Sequence, residues 1–180
     1  VPGHLFQGLL IAGIVTLCAV PSPARATGAG EKQVSASAGF ALAGSGDHAS
    51  SGGQAGVETA LGFTDVWAGH AAVTSSWQPA PASGGAGHVT AVSLGTTFSL
   101  DVVRWVPFFD LGFSLADLRG SGTSSQRLGP QVGLGVEYLI SRRWTLAALA
   151  RFDYFALRLR GSGGTHPWSA CASLRIGRVF

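Results

Sequence analysis

Apolar residues recur at every second position through most of this chain, the pattern of β-strands with two unlike faces. Val34, Ala36, Ala38, Phe40 and Leu42 alternate with Gln33, Ser35, Ser37, Gly39 and Ala41. The same alternation predicts strands over Gln54–Phe63, Val66–Trp77, His88–Leu100, Trp105–Leu118, Leu128–Tyr138, Trp144–Phe155 and Pro167–Phe180. One face of each strand is bulky and apolar. The other is small or polar, as in Leu111, Phe113 and Leu115 against Asp110, Gly112 and Ser114. Strands of roughly 10 to 14 residues match the roughly 9 to 11 that a tilted strand needs to cross a bilayer.

The connections alternate in length. Short turns are predicted at Thr64-Asp65, 101–104 and 139–143. Longer Gly/Ser/Pro-rich loops are predicted at 44–53, 78–87, 119–127 and 157–166. Such alternation marks an up-and-down membrane barrel. The fold class expected is all-β: an eight-stranded antiparallel transmembrane β-barrel over residues 32–180, after a short lead at 27–31.

Composition fits that expectation. The chain is 46% hydrophobic and 12% charged, against roughly a quarter charged in soluble domains. Its long apolar run is Leu5–Val20, and no later stretch approaches the roughly 18 to 20 residues of a membrane helix. A barrel resolves this by spreading apolar residues over alternate positions. The net charge is +3, but the arginines are scattered, so no nucleic-acid partner is expected.

Leu5–Val20 ends at Pro21 and Pro23, and Ala24-Arg25-Ala26 follows, a small-x-small cleavage site. Residues 1–26 therefore read as a signal peptide cut before Thr27. Cys18 would leave with it, and Cys171 would then have no partner for a disulfide. Neither cysteine sits in a metal-ligand pattern, and no cofactor is expected. Aromatic residues concentrate near strand ends. Phe63, Trp67, Trp105, Tyr138 and Trp144 flank the short turns, and Trp77 and Trp168 lie near the longer loops. Two aromatic girdles at headgroup level are expected from that placement.

The last strand, Trp168–Phe180, alternates through Leu174 and Ile176 and ends in Phe180. The segment from Gly133 to Trp144 reads as a strand entering a tight turn before the next strand. On these features the chain resembles the small outer-membrane β-barrel proteins of the OmpA/OmpX-like and OmpW-like kinds. The resemblance implies a Gram-negative outer membrane, delivery by periplasmic chaperones, and contact with outer-membrane lipids and lipopolysaccharide. It also implies that Leu174, Ile176 and Phe180 belong to a signal read by the barrel assembly machinery. Arg178 departs from that signal, since its position is usually apolar or aromatic. The resemblance implies no substrate and no oligomeric state.

The predicted inward faces carry Glu58, His70, Asp110, Glu137, Arg151, Asp153 and Arg175. A narrow barrel is filled by its side chains, and buried charges need partners. A salt-bridge network plugging a non-enzymatic scaffold is therefore expected, with a narrow conducting path or proton relay as the sharper alternative. Two others stay open. One is a lipid-modifying enzyme at the rim, using residue types present in Asp47, His48, Ser50, Ser51, His88 and His166, because a serine needs a base to become a nucleophile. The other is a soluble, lipocalin-like periplasmic barrel. No GxSxG, Walker-type or HExxH motif occurs.

Overall fold

The computed structural model describes residues 29–45, 48–79, 87–100, 105–120, 123–161 and 167–180. They form one antiparallel sheet closed on itself. Its strands are β1 (Lys32–Ser45), β2 (His48–Gly62), β3 (Trp67–Trp77), β4 (His88–Ser99), β5 (Trp105–Gly120), β6 (Thr123–Leu139), β7 (Trp144–Tyr154), β8 (Leu157–Arg160) and β9 (Pro167–Val179). Strands β7 and β8 both pair with β6 and are two pieces of one stave, interrupted at Phe155 and Ala156. Pairing of β9 with β1 completes a barrel of eight staves.

The pairing register sets the shape. Ser124 lies opposite Arg119, and the chain of partners continues through His88, Trp77, Gly53, Phe40, Ala172, Ala150 and Leu134. The circuit returns to β6 ten residues from its start. With a rise of about 3.3 Å and about 4.8 Å between strands, that offset tilts the staves by about 41° and gives a backbone radius of about 8 Å.

The two faces fall as the alternation predicts. Phe113, Leu94, Leu134 and Leu174 point outward and are exposed, while Glu58, Asp110, Gln131 and Arg175 point inward and are buried. Small inward residues make the bulky ones fit. A Cβ on Gly135 would sit 2.4 Å from Phe108 Cζ, so the Phe108 ring occupies the space that glycine leaves. Toward the hairpin end, Phe155 fills the lumen together with Ala43, Val89, Ala91, Ala116 and Leu118.

Two of the expected long loops are mostly strand. Strands β1 and β2 stay paired up to Ser45 and His48, and β5 and β6 up to Gly120 and Thr123. Those segments carry too few bulky residues to alternate visibly, yet backbone pairing needs no side chain and continues through glycine and serine. The turns expected at Thr64-Asp65 and 139–143 are present, spanning 63–66 and 140–143. The predicted signal segment with Ala24, Ala26 and Thr27, the turn at 101–104, and most of the loop at 78–87 lie outside the described residues.

Tilt and register together place each Cα along the barrel axis. At about 2.5 Å of height per residue and about 3 Å per stave, Phe63, Trp67, Trp105, Tyr138 and Trp144 share one level within about 4 Å. Trp77, Tyr154 and Trp168 share another within about 3 Å, roughly 26 Å from the first.

Candidate functional site

The inward charges come from six strands: Glu58 on β2, His70 on β3, Asp110 on β5, Glu137 on β6, Arg151 and Asp153 on β7, and Arg175 on β9. All seven are buried. The Cα atoms of Glu58, His70, Asp110 and Arg175 lie within about 2 Å of one height, near the midpoint between the two aromatic levels.

Glu58 is the centre of the layer. Its Oε1 accepts a hydrogen bond from Arg175 Nη1 at 2.5 Å, and its Oε2 accepts one from Arg151 Nη2 at 3.2 Å. Arg175 also lies 3.8 Å from Glu137 Oε2 and 4.9 Å from the centre of the Phe108 ring. Each guanidinium thus meets a carboxylate in a buried site, where an unpaired charge costs several kcal/mol. A second chain runs beside it. The Thr97 hydroxyl donates to Asp110 Oδ1 at 2.6 Å, and His70 Nδ1 lies 3.1 Å from Thr97 Oγ1. With the threonine hydrogen given to Asp110, the imidazole donates from Nδ1.

Several members were not legible in advance. Gln33 Nε2 donates to Glu137 Oε1 at 2.6 Å and to Thr145 Oγ1 at 2.8 Å. Gln131 is almost fully buried. Neutral polar residues on an alternating strand look alike from the sequence, whether they support a carboxylate or merely fill space. Asp153 stands higher in the lumen, opposite Gln131 and Ser169, away from the Glu58 layer. Among the described residues, His70 Nε2, Asp110 Oδ2 and both amide atoms of Gln131 have no hydrogen-bond partner. At the short-turn end a cavity of about 40 Å³ lies against Gln33, Glu58, Thr97, Phe108, Glu137 and Arg175, room for about one water. Among the described residues the interior holds charged side chains together with this small cavity.

On the outside, Trp105 packs on Tyr138 with ring centroids 4.7 Å apart, and Trp67 on Phe98 at 5.1 Å. Arg178, the departure in the terminal strand, points outward at the lower aromatic level. Its guanidinium lies 5.0 Å from the Phe180 ring and 5.8 Å from the Trp144 ring. A cation held between aromatic faces fits that level without an apolar side chain. Leu174 and Ile176 are exposed on the same wall, and the Phe180 backbone pairs with Lys32. Cys171 is a free thiol.

The rim residues do not assemble as a set. Asp47 and His166 lie outside the described residues. Ser51 is exposed, and Ser50 donates to the Ala43 carbonyl. His88 instead meets Ser75 of β3: Ser75 Oγ is 2.8 Å from His88 Nε2.

No family model and no curated protein sequence matches the chain. The fold is that of the small eight-stranded outer-membrane β-barrels. The structure is similar to that of Neisserial surface protein A, with a TM-score of 0.70 and 18% identity over 83% of this chain and 98% of that one. It is also similar to the N-terminal β-barrel domain of Pseudomonas aeruginosa OprF, with a TM-score of 0.58 and 15% identity over 85% and 99%. Ail, the attachment invasion locus protein of Yersinia pestis, matches with a TM-score of 0.56 and 12% identity over 84% and 99%.

Proposed function

We propose that this chain spans the outer membrane of a Gram-negative bacterium as a structural barrel whose charged, filled interior closes it to solutes. The observation that carries this reading is the outer wall. Between the two aromatic levels it presents an apolar band roughly 26 Å tall, close to the roughly 25 Å of known membrane barrels. At a radius of about 12 Å with side chains, the band covers roughly 2,000 Å². The largest apolar patch on a soluble monomer is about 300–600 Å², so the band calls for lipid and argues against a soluble, lipocalin-like barrel. The structural neighbours, outer-membrane proteins themselves, support the same placement.

In this reading the segment ending at Ala24-Arg25-Ala26 directs export, with cleavage before Thr27. Periplasmic chaperones deliver the chain, and Leu174, Ile176 and Phe180 present its last strand to the barrel assembly machinery. The short turns face the periplasm and the extended hairpins face outward, in contact with lipopolysaccharide. Membrane fractionation with detergent-gel electrophoresis tests the placement. A folded form that shifts in mobility on boiling is expected in the outer-membrane fraction; a soluble periplasmic monomer would sink the proposal. Planar-bilayer recording tests the filled interior: silence is expected, and steady unitary currents would replace the plugged scaffold by a narrow pore.

A further inference from the structure

We propose that the outer wall carries an acyl-ester hydrolase site, formed by Ser75, His88 and Arg119, for a phosphate-bearing lipid of the leaflet at the hairpin end. The inference rests on the membrane reading above and departs from the expectation of a non-enzymatic barrel. The lipid-facing wall is otherwise a poor place for polar groups. Yet Ser75 and Trp77 on β3, His88 and Thr90 on β4, and Asp117 and Arg119 on β5 all take outward positions, on three adjacent strands.

The geometry is that of a nucleophile with its base. His88 Nε2 lies 2.8 Å from Ser75 Oγ, within reach to take its proton. The Trp77 ring, 5.9 Å from the imidazole centroid, holds the histidine against the wall. Thr90 Oγ1 lies 3.5 Å from Ser75 Oγ, so its hydroxyl can turn toward an oxyanion forming there. Arg119 stands directly opposite His88 on the neighbouring strand. Its side chain is 54% exposed, and Asp117 fixes the guanidinium from one side with contacts of 2.8 and 2.9 Å. The remaining N–H groups of this exposed fork are chemically suited to a phosphate.

Height selects the substrate. By tilt and register, Ser75 lies about 4 Å below the upper aromatic level and Arg119 about 7 Å above it. Acyl esters of a membrane lipid sit just inside its headgroup and phosphates just outside. A lipid anchored by phosphate on Arg119 therefore brings an ester carbonyl down to Ser75.

The reaction needs water alone as co-reactant. Ser75 Oγ bonds to the ester carbonyl carbon as its proton passes to His88 Nε2. The carbon–oxygen bond to the lipid alcohol breaks, and the alcohol leaves with that proton. A water, giving a proton to His88, then attacks the acyl-serine. The bond to Ser75 Oγ breaks, the serine regains its proton from His88, and a fatty acid departs.

The test uses the full chain, purified in detergent and mixed with diphosphorylated lipid A, with released fatty acid followed by mass spectrometry. The same chain is treated with a p-nitrophenyl alkylphosphonate, and the labelled residue is located by peptide mass. Wild type should release fatty acid and carry the adduct on Ser75. S75A and H88N should each lose on the order of 10²–10⁴-fold in rate. R119Q should raise KM with kcat little changed, and S50A should match wild type. No release above the spontaneous rate, an adduct on another serine, or S75A equal to wild type would overturn the site. Boiling-dependent gel mobility, read on every variant, keeps the two proposals apart: its presence without hydrolysis rejects the enzyme alone, and its absence in wild type rejects the membrane barrel as well.

Discussion

Glu58 is the residue on which the interior depends most. It accepts from both Arg151 and Arg175, so Glu58→Ala leaves two buried guanidiniums short of a partner. A loss of about 3–5 kcal/mol is expected, measured as a lower urea midpoint for the barrel refolded in lipid vesicles. Arg175 retains Glu137 at 3.8 Å, so Glu137→Ala should cost less than Glu58→Ala. Glycine matters for a steric reason. Gly135→Ala drives a Cβ into the Phe108 ring and should cost about 1–3 kcal/mol. The double variant with Phe108→Ala should recover part of that loss, since the clash disappears with the ring. Both residues were legible as inward positions. What the alternation did not reveal is which inward residues touch, because partners such as Glu58 and Arg175 lie on strands far apart in the chain.

At the scale of elements, the informative feature is the break between β7 and β8. Phe155 follows Tyr154 into the interruption and turns into the lumen, where it is almost fully buried. It packs with Ala43, Val89, Ala91, Ala116 and Leu118, small and medium side chains from three other strands. Phe155→Ala removes the largest apolar filler at that level, and a loss of about 3–5 kcal/mol in the same urea assay is expected. The strands themselves follow from alternation wherever lipid-facing residues are bulky. They were underestimated at 44–53 and 119–127, where the chain rises past the apolar band. Outward residues there no longer need to be apolar, so the periodic signal fades while pairing continues.

For the whole molecule, the closure geometry gathers all five tryptophans into the two aromatic levels. Each level lies roughly 13 Å from the midpoint between them. Tryptophan quenching by lipids brominated at different acyl positions should therefore be strongest for labels near the headgroup and weak for labels near the chain ends. The reverse order would place the rings inside the hydrocarbon and contradict the assignment of the band. The midpoint is also where the Glu58 layer sits, so the charged centre is shielded by the wall at its most apolar height. Emplacement in this order is expected to make unfolding in vesicles cooperative, with interior and wall lost together.

Residue order alone determined the strand count, the two faces of every strand, and the ends at which aromatic residues collect, because each depends on spacing of two along one strand. Tertiary structure decided what spacing cannot encode. The ten-residue offset around the wall sets tilt, radius and height, and so brings Glu58, His70, Asp110 and Arg175 to one level. Cross-strand register likewise sets Ser75 beside His88, thirteen positions apart in the chain and 2.8 Å apart in space. Register is a property of the closed sheet, fixed by all its pairings at once, and no single strand carries it.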